Sequence, residues 1–283
     1  MARFSIIFNS LNTIIIVLLL VFTIANYFTM VDKFRGLSDF RRGDSRQESE
    51  NQIPIREHRR NALLAAEQVR KSVFKHAVGR ENRKFYSQLR IEAFCPSIHR
   101  IGDNGDGGKM VCNPRAVRED CTLLSLGLNN QIDYDKAIMN ATDRKCSIIA
   151  ADKDQQNMNT LRAYGELKGR VFSAKIPDEL TIHQIMEQSY RKDVEILKMD
   201  IEGSEFTALE PFLKEHYVCQ ILIEIHGWPP EHLELLQKIA RLGFRIFNIE
   251  ENRLCTRCCE YSLINELCMS QFGAVPLAIN IPF

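Results

Sequence analysis

The feature that most constrains this chain is a regular alternation of short apolar runs with longer helical patterns between Cys121 and Glu266. Seven runs have the composition of strands: CTLLSLGL, KCSIIAAD, GRVFSAKI, VEILKMD, VCQILIEIHG, FRIFNIEEN and CCEYSLINE. Between them, helices are predicted at QIDYDKAIMNAT, KDQQNMNTLRAYGEL, DELTIHQIMEQSY, SEFTALEPFLKEH and PPEHLELLQKIARLG. Strands that alternate with helices of about ten or more residues predict an α/β fold with a mostly parallel, doubly wound sheet.

Polar residues end four of these predicted strands. In a parallel α/β sheet, ligands bind beyond the carboxyl ends of the strands, near the point where the strand order reverses. Four strands that bring polar groups to the same edge therefore predict one site there. The candidates are Ser125, Gly127, Asn129, Asp152, Asp200, Glu202, Glu224 and His226.

Gly127 and Asp152 indicate the kind of ligand. A glycine lets the backbone approach a ligand closely. An acid that ends the second strand, 25 residues later (152 − 127), is placed to accept hydrogen bonds from ribose hydroxyls. The loop has one glycine, whereas a dinucleotide needs a G-x-G-x-x-G turn for its pyrophosphate, and no P-loop motif is present. S-adenosylmethionine, which has a ribose but no phosphate, fits this pattern better than NAD, FAD or a nucleoside triphosphate.

The segment EILKMDIEGSEF, residues 195–206, places three acids beside an apolar strand. We expect Asp200 and Glu202 to face the positive charges of the cofactor, or the nucleophile. The alternative for all three acids is a helix N-terminus capped by Ser204, where negative charge contributes about 0.3–1 kcal/mol per group. That alternative accounts best for Glu205, which is left out of the predicted site.

The segment ILIEIHGWPP carries Glu224 and His226 on one face of a predicted strand. Because histidine is the side chain best poised near neutral pH, we expect these two residues or Glu202 to supply the catalytic base. One alternative is an ion pair between this strand and another element. Another alternative is a divalent metal bound by Asp200, Glu202, Glu224 and His226. No ligand spacing requires a metal, and none is predicted.

Residues 5–31 contain no charged side chain and are long enough to cross a bilayer, which takes about 20 residues. We expect an uncleaved signal anchor in a single-pass membrane protein. The alternative is a cleaved signal peptide and a secreted form. The expected organisation is a cytosolic tail and anchor over residues 1–31, a polar stem with helices over 32–93 and the main domain over 94–283.

Two signals disagree about the orientation of this anchor. Basic residues are more numerous after the apolar segment than before it, which by the positive-inside rule places the main domain in the cytosol. Nine cysteines and a glycosylation sequon at Asn140 instead suit an oxidising lumen, which we expect. The formal net charge of +1 gives no reason to expect a nucleic-acid partner.

The segment CPSIHRIGDNGDGGKMVCNP, residues 95–114, is too rich in glycine and aspartate for a helix or a strand. We expect its central loop to fold over the mouth of the site, with Asp106 and Gly107 near the cofactor. A plain surface turn is the alternative. Three flanking cysteines are candidates for disulfides that hold the loop: Cys95, Cys112 and Cys121.

Several of these motifs together resemble one family. LKMDIEGSEFTAL resembles the signature of FkbM-type methyltransferases. Five further segments resemble the membrane-anchored, methyltransferase-like branch of that family: RIGDNGDGGKMVCNP, LLSLGLNNQIDYDKAI, ADKDQQN, EIHGWP and CCEYSLIN. The resemblance extends over about residues 94–265. It implies a Rossmann-like methyltransferase fold, S-adenosylmethionine as the methyl donor and, often, an oxygen acceptor.

The resemblance also assigns roles to individual residues. Gly127 takes the position of the glycine loop, Asp152 that of the ribose acid, and the acids after the fourth strand match the signature. Ser125 and Asn129 stand where many methyltransferases carry an acid and more glycines. The predicted function is methyl transfer to an oxygen of a glycan, a lipid or a small molecule. The alternative is a catalytically silent, membrane-tethered binding protein with the same fold.

Overall fold

The structure is a computed structural model that describes residues 54–105 and 107–281. The chain divides into two units, Met1–His58 and Arg59–Phe283, and the second contains the central sheet. The expected anchor at residues 5–31 lies outside the described residues and stays a prediction. Among the residues that are described, no helix is long and apolar enough to cross a membrane.

The described part of the chain contains helices and strands in the alternation that the sequence predicts. The helices are α1 (residues 54–76), α2 (Asn82–Tyr86), α3 (Asp133–Ala141), α4 (Met158–Glu166), α5 (Ile182–Gln188), α6 (Glu205–Glu215), α7 (Pro229–Arg241) and α8 (Met269–Phe272). The strands are β1 (Ala93–Phe94), β2 (Ile98–Ile101), β3 (Lys109–Cys112), β4 (Thr122–Leu126), β5 (Ser147–Asp152), β6 (Arg170–Ser173), β7 (Val194–Met199), β8 (Val218–His226), β9 (Phe244–Glu251), β10 (Cys258–Asn265) and β11 (Val275–Pro276). The seven strands and five helices of the predicted alternation are all present, as β4–β10 and α3–α7.

Seven strands form the central sheet, in the order β6-β5-β4-β7-β8-β10-β9. The pairs from β6 to β8 are parallel, whereas β10 is antiparallel to both β8 and β9. The prediction of a mostly parallel sheet is therefore confirmed. The strand order reverses at β4, from which the chain moves first to β5 and β6 and then to the other side through β7. The carboxyl end of β4 is thus the point at which a Rossmann-like sheet binds its ligand.

Both faces of this sheet are covered by apolar clusters. β7 is buried along its whole length, as a central parallel strand requires. Its neighbours Ile196 and Leu197 point to opposite faces. Ile196 belongs to a cluster that includes Ile138 of α3, and Leu197 to one that includes Leu209 of α6. The helices on the two faces leave the strand ends free to form a site.

The segment that precedes the sheet contains a shorter helix than the sequence predicts. A helix is predicted over about residues 80–94, but α2 ends at Tyr86. The buried carboxylate of Glu92 accepts hydrogen bonds from the backbone nitrogens of Asn280, at 2.6 Å, and Ile281, at 2.8 Å. These bonds hold the chain in an extended path that leads into β1, which pairs with β11.

The start of the packed domain also lies earlier than the predicted boundary at residue 94. Val73 of α1 and Phe85 of α2 are fully buried in the same apolar cluster as Leu197 of the sheet. The helical part of the predicted stem is therefore part of the domain core. Because the exposed positions of α1 are polar, the sequence pattern did not indicate that this helix packs into the core.

The segment 95–114 contains a hairpin, although no strand is predicted there. β2 and β3 pair in antiparallel register from Ile98↔Cys112 to Ile101↔Lys109. Glycine and aspartate fill only the loop between the two strands, which explains the incorrect prediction for the whole segment. A disulfide joins Cys95 to Cys112 and closes the base of the hairpin, as expected, whereas Cys121 pairs with Cys146.

Candidate functional site

A cavity of about 460 Å³ lies at the carboxyl ends of β4, β5, β7 and β8. This volume is in the range of about 300–1,000 Å³ that small-molecule sites occupy. The structure therefore brings together the ends of the four strands that the sequence singles out. The candidates that line the cavity are Gly107, Gly127, Asn129, Asp152, Asp200, Glu202, Glu224 and His226.

One predicted cofactor residue, Ser125, does not line this cavity, and another lies outside the described residues. Ser125 is buried within β4, and its side chain faces Asp135 of α3 and Tyr164 of α4. Because side chains alternate along a strand, this position lies beneath the helices and not at the open edge. Asp106 lies outside the described residues, so its assignment stays a prediction.

Asp152 connects the ends of β4 and β5. Its Oδ2 accepts a hydrogen bond from the backbone nitrogen of Asn129, at 2.7 Å, and its Oδ1 from that of Asp154, at 2.8 Å. An ionised carboxylate has about four acceptor sites, so each oxygen keeps capacity for one more donor. Those remaining positions fit the two hydroxyls of a ribose.

Gly127 is required by the packing of the loop after β4. Its φ is +81°, and a Cβ placed on it would lie 1.7 Å from the carbonyl oxygen of Asp200. Only glycine thus allows the loop after β4 to lie against the loop after β7. The carbonyl oxygen of Gly127 also accepts a hydrogen bond from Nζ of Lys198, at 2.5 Å. Burial lowers the pKa of this lysine.

Lys109 places a positive charge beside the acids of the cavity. It ends the glycine-rich loop, is 2% exposed and forms ion pairs with Glu260 and, at 3.7 Å, with Asp200. Burial opposes its charge, but the charges of Glu260 and Asp200 outweigh burial and raise the pKa of Lys109. Neither lysine is among the predicted site residues, because lysine is usually exposed and Lys109 and Lys198 are both buried.

Glu224 is a buried carboxyl group on the cavity wall. It is 3% exposed and lies opposite Glu260 in the antiparallel register of β8 and β10. Burial, with the negative charges of Glu260 and Asp200, raises the pKa of Glu224 to about 7. Nδ2 of Asn252 donates a hydrogen bond to its Oε1 at 2.8 Å. A carboxyl group that titrates near neutral pH has the property that a general base needs.

His226 is surrounded by carboxylates. Its Nδ1 lies 3.1 Å from Oε1 of Glu205, and its Nε2 lies 3.5 Å from Oε2 of Glu202 and 3.8 Å from Oδ1 of Asp200. Burial acts to lower its pKa, but the hydrogen bond and charge of Glu205, with the other acids, raise the pKa of His226 to about 9. The ring is therefore protonated at neutral pH. An imidazolium at this place can donate a hydrogen bond into the cavity.

Glu205 has a larger role than the sequence reasoning gave it. It is fully buried and accepts hydrogen bonds from the backbone nitrogens of Gly203 and His226, each at 2.8 Å. The side chain of Ser204 makes no capping hydrogen bond. Glu205 therefore joins the end of β8 to the start of α6. Its place in the segment that resembles the family signature is the one sequence signal that could have pointed to it.

The cavity also contains possible metal ligands. Asp200, Glu202 and His226 place three ligand atoms within 4.8 Å of one another, and so do Glu224, His226 and Cys258. Cys258 is bonded to Cys255 and has no thiolate to offer. The binding of a metal by Asp200, Glu202 and His226 would release a ring proton of His226.

The comparison with protein families decides the class of this site. The sequence matches the family model of the methyltransferase FkbM domain over residues 74–246. The chain belongs to the FkbM methyltransferase family. Its cofactor is S-adenosylmethionine, as the sequence predicts. None of the curated proteins compared with it matches this member of the family.

Solved structures of methyltransferases resemble this family member at low similarity. The Methanococcus jannaschii fibrillarin pre-rRNA processing protein is 15% identical, with a TM-score of 0.38, over 60% of this chain and 82% of that one. Aeropyrum pernix fibrillarin, with natively bound S-adenosyl-L-methionine, is 11% identical, with a TM-score of 0.39, over 65% and 87%. Precorrin-6y C5,15-methyltransferase of Geobacter metallireducens is 7% identical, with a TM-score of 0.39, over 54% and 84%. The Rossmann-like methyltransferase fold of this chain rests on its own strand order and on the family model.

The residues of the cavity fit the cofactor of the family. The acceptor positions that remain on Asp152 match the ribose hydroxyls. S-adenosylmethionine carries a positive sulfonium and a positive amino group, and the carboxylates of Asp200 and Glu202 line the same cavity. The negative charges of these carboxylates, within a partly buried cavity, favour the binding of a positively charged ligand.

Proposed function

We propose that this family member transfers the methyl group of S-adenosylmethionine to an oxygen of its acceptor, with Glu224 as the general base. The observation that carries the proposal is the buried Glu224 carboxyl group, whose pKa is raised to about 7 on the wall of the cavity. Above that pH the carboxylate accepts the proton that an acceptor hydroxyl loses. The cofactor, when bound, supplies an electrophilic methyl group on a positively charged sulfur.

The other residues of the cavity bind and orient. Asp152 accepts hydrogen bonds from the ribose, while Asp200 and Glu202 oppose the positive charges of the cofactor. His226, held as an imidazolium by Glu205, donates a hydrogen bond to the acceptor oxygen. Because methyl transfer depends mainly on holding the donor and the acceptor in line, these positioning contacts contribute more than the base.

Glycans, lipids and small alcohols are the proposed acceptors, and no nucleic acid is among them. Incubation of the full chain with methyl-labelled S-adenosylmethionine and a panel of these acceptors tests the proposal. Glu224→Gln is expected to reduce the rate of transfer by about 10²–10⁴-fold, the contribution of a positioned base. Glu210→Gln, at a half-buried acid of α6 that pairs with Lys214 and Lys238, is the control.

Equal transfer rates in Glu224→Gln and the wild type would rule out Glu224 as the base. Binding of the cofactor without transfer to any acceptor class would instead support a catalytically silent binding protein. The charged cavity argues for the enzyme, because a silent fold has no use for several buried carboxyl groups, which are costly in free energy.

We also propose that residues 5–31 anchor the chain in a membrane, with the methyltransferase domain in the lumen of the secretory pathway. Four disulfides within the described residues support this, because disulfides persist in oxidising compartments. Asn140 of the sequon is exposed near the end of α3. Glycosidase treatment of the cellular protein should shift its mobility, and Asn140→Gln should abolish the shift. A glycosidase-resistant chain with reduced cysteines would place the domain in the cytosol.

A further inference from the structure

Three metal-ligating side chains meet at the amino-terminal edge of the sheet, opposite the cavity. His183 belongs to α5, Glu215 ends α6, and His216 follows directly, just before β8 begins. Nδ1 of His183 lies 2.9 Å from Nε2 of His216 and 2.9 Å from Oε2 of Glu215. The ligand atoms all lie within 4.8 Å of one another. Methyl transfer, as proposed above, uses none of these residues.

A backbone contact fixes the tautomer of His216. Its Nδ1 lies 2.7 Å from the carbonyl oxygen of Lys192. A carbonyl oxygen only accepts hydrogen bonds, so Nδ1 must carry the proton. In the neutral ring, Nε2 therefore presents a lone pair towards His183 and Glu215.

His183 can take a matching tautomer. Its Nε2 lies 3.3 Å from Oε1 of Glu187, and an ionised carboxylate only accepts. With the proton on Nε2, the neutral ring of His183 directs a lone pair from Nδ1 at His216 and Glu215, and a metal ion between these atoms offsets their repulsion. With the proton on Nδ1, His183 instead donates a hydrogen bond to Nε2 of His216.

We propose that His183, Glu215 and His216 bind Zn²⁺. Zinc bonds to histidine nitrogen at about 2.0–2.1 Å and to carboxylate oxygen at about 2.0–2.2 Å, which places tetrahedral ligand atoms about 3.3 Å apart. The separations of 2.9 Å in the structure need only a small outward rotation of the side chains. Imidazole with carboxylate is a ligand set that suits zinc, and three protein ligands leave the fourth position for water.

The surroundings of the cluster resemble those of a built metal site. Metal-binding histidines almost always donate their second N–H to a carboxylate or a backbone carbonyl. Nδ1 of His216 does so to Lys192, and Nε2 of His183 lies 3.3 Å from the carboxylate of Glu187. The ring of Phe212 stacks on His216 with a centroid distance of 4.8 Å. A metal here would join α5 to the end of α6 and to the segment that leads into β8, and would stabilise the domain.

Calorimetric titration of the full, metal-free chain with ZnCl₂ tests this site. We expect one equivalent of Zn²⁺ to be lost in His183→Gln and in His216→Gln. Loss of a ligand should weaken binding by at least the ~10–100-fold that loss of an outer partner costs. Glu187→Gln, which removes only such a partner, should weaken it by about tenfold. His99→Gln, an exposed histidine of the β2–β3 hairpin, is the matched control.

Thermal unfolding supplies a second readout. Saturating Zn²⁺ should raise the Tm of the wild type and of His99→Gln but not of His183→Gln, because binding to the native state alone stabilises it. Glu202→Gln should keep the rise in Tm, which separates this cluster from the acids of the cavity. Equal Zn²⁺ binding in the wild type and His183→Gln, or no binding in either, would overturn the proposal and leave a hydrogen bond between His183 and His216.

Discussion

The buried carboxylate of Glu205 accepts hydrogen bonds from both the backbone nitrogen of His226, at 2.8 Å, and its Nδ1, at 3.1 Å. Glu205 begins α6 and His226 ends β8, so this contact joins a helix start to a strand end. Burial alone would lower the pKa of His226, but the contact and the neighbouring acids raise it to about 9. A residue outside the cavity lining thus sets the charge of a residue within it.

Replacement of Glu205 by glutamine should remove its effect on the pKa of His226. Glu205→Gln keeps the shape of the side chain but removes the negative charge, so the pKa of His226 should fall by about 1–3 units. NMR titration of the His226 ring measures the change. Glu210→Gln, farther along α6, should leave the titration unchanged. If the pKa of His226 stays near 9 in Glu205→Gln, another group holds the imidazolium.

The rate of methyl transfer should depend on pH in two steps. Glu224 must lose its proton to act as a base, so the rate should rise as the pH increases through about 7. His226 must keep its proton to donate, so the rate should fall as the pH increases through about 9. The two groups interact, so the measured limits belong to the pair. Glu205→Gln should move the upper limit to lower pH. A rate that is flat between about pH 6 and pH 8 would contradict the role of Glu224.

Two glycine substitutions separate backbone strain from a packing clash. Gly127 and Gly203 both have positive φ, but a Cβ on Gly203 meets nothing within 4 Å, whereas one on Gly127 meets the backbone of Asp200. Gly203→Ala should cost about 1–2 kcal/mol in strain. Gly127→Ala should cost a further ~1–3 kcal/mol and weaken cofactor binding, because the two loops must separate. Chemical denaturation measures both, and equal free energies of unfolding would show that the close approach to Asp200 is unimportant.

The cysteines should give a simple thiol count. Eight form disulfides, and the free Cys259 is buried in β10. Thiol titration should therefore find one group per chain in denaturant without reductant and none in the native protein. Cys259→Ser should remove that group. Three or more thiols in the denatured wild type would mean that at least one of the pairs is not formed.

The sequence predicted the sheet well because its signal is periodic and local. Each strand from β4 to β10 is an apolar run, and each helix from α3 to α7 has a helical repeat. The pairing of β10 between β8 and β9 has no such signal, since it depends on contacts between distant segments. That pairing places Glu260 opposite Glu224 and helps to raise the pKa of the base.

The sequence predicted which residues line the cavity where strand ends alone determine their position, and it missed contacts that depend on burial. Asp152, Asp200 and Glu224 line the cavity because they end parallel strands or lie close to the end. Ser125 is only two residues before Gly127, yet its side chain points away from the cavity towards α3 and α4. Glu205 looked like an ordinary helix-end acid, because the residue that it contacts, His226, is 21 positions away.

Calorimetric titration of the full chain with S-adenosylhomocysteine tests most directly whether this cavity binds the cofactor. We expect one binding equivalent in the wild type. Asp152→Asn should weaken it about 10–100-fold, because hydrogen bonds to a charged group contribute about 1.5–3 kcal/mol. Asp178→Asn, which replaces an exposed acid paired with Lys175, should bind as the wild type does. No binding by the wild type, or equal binding by Asp152→Asn, would contradict a cofactor site at the end of β5.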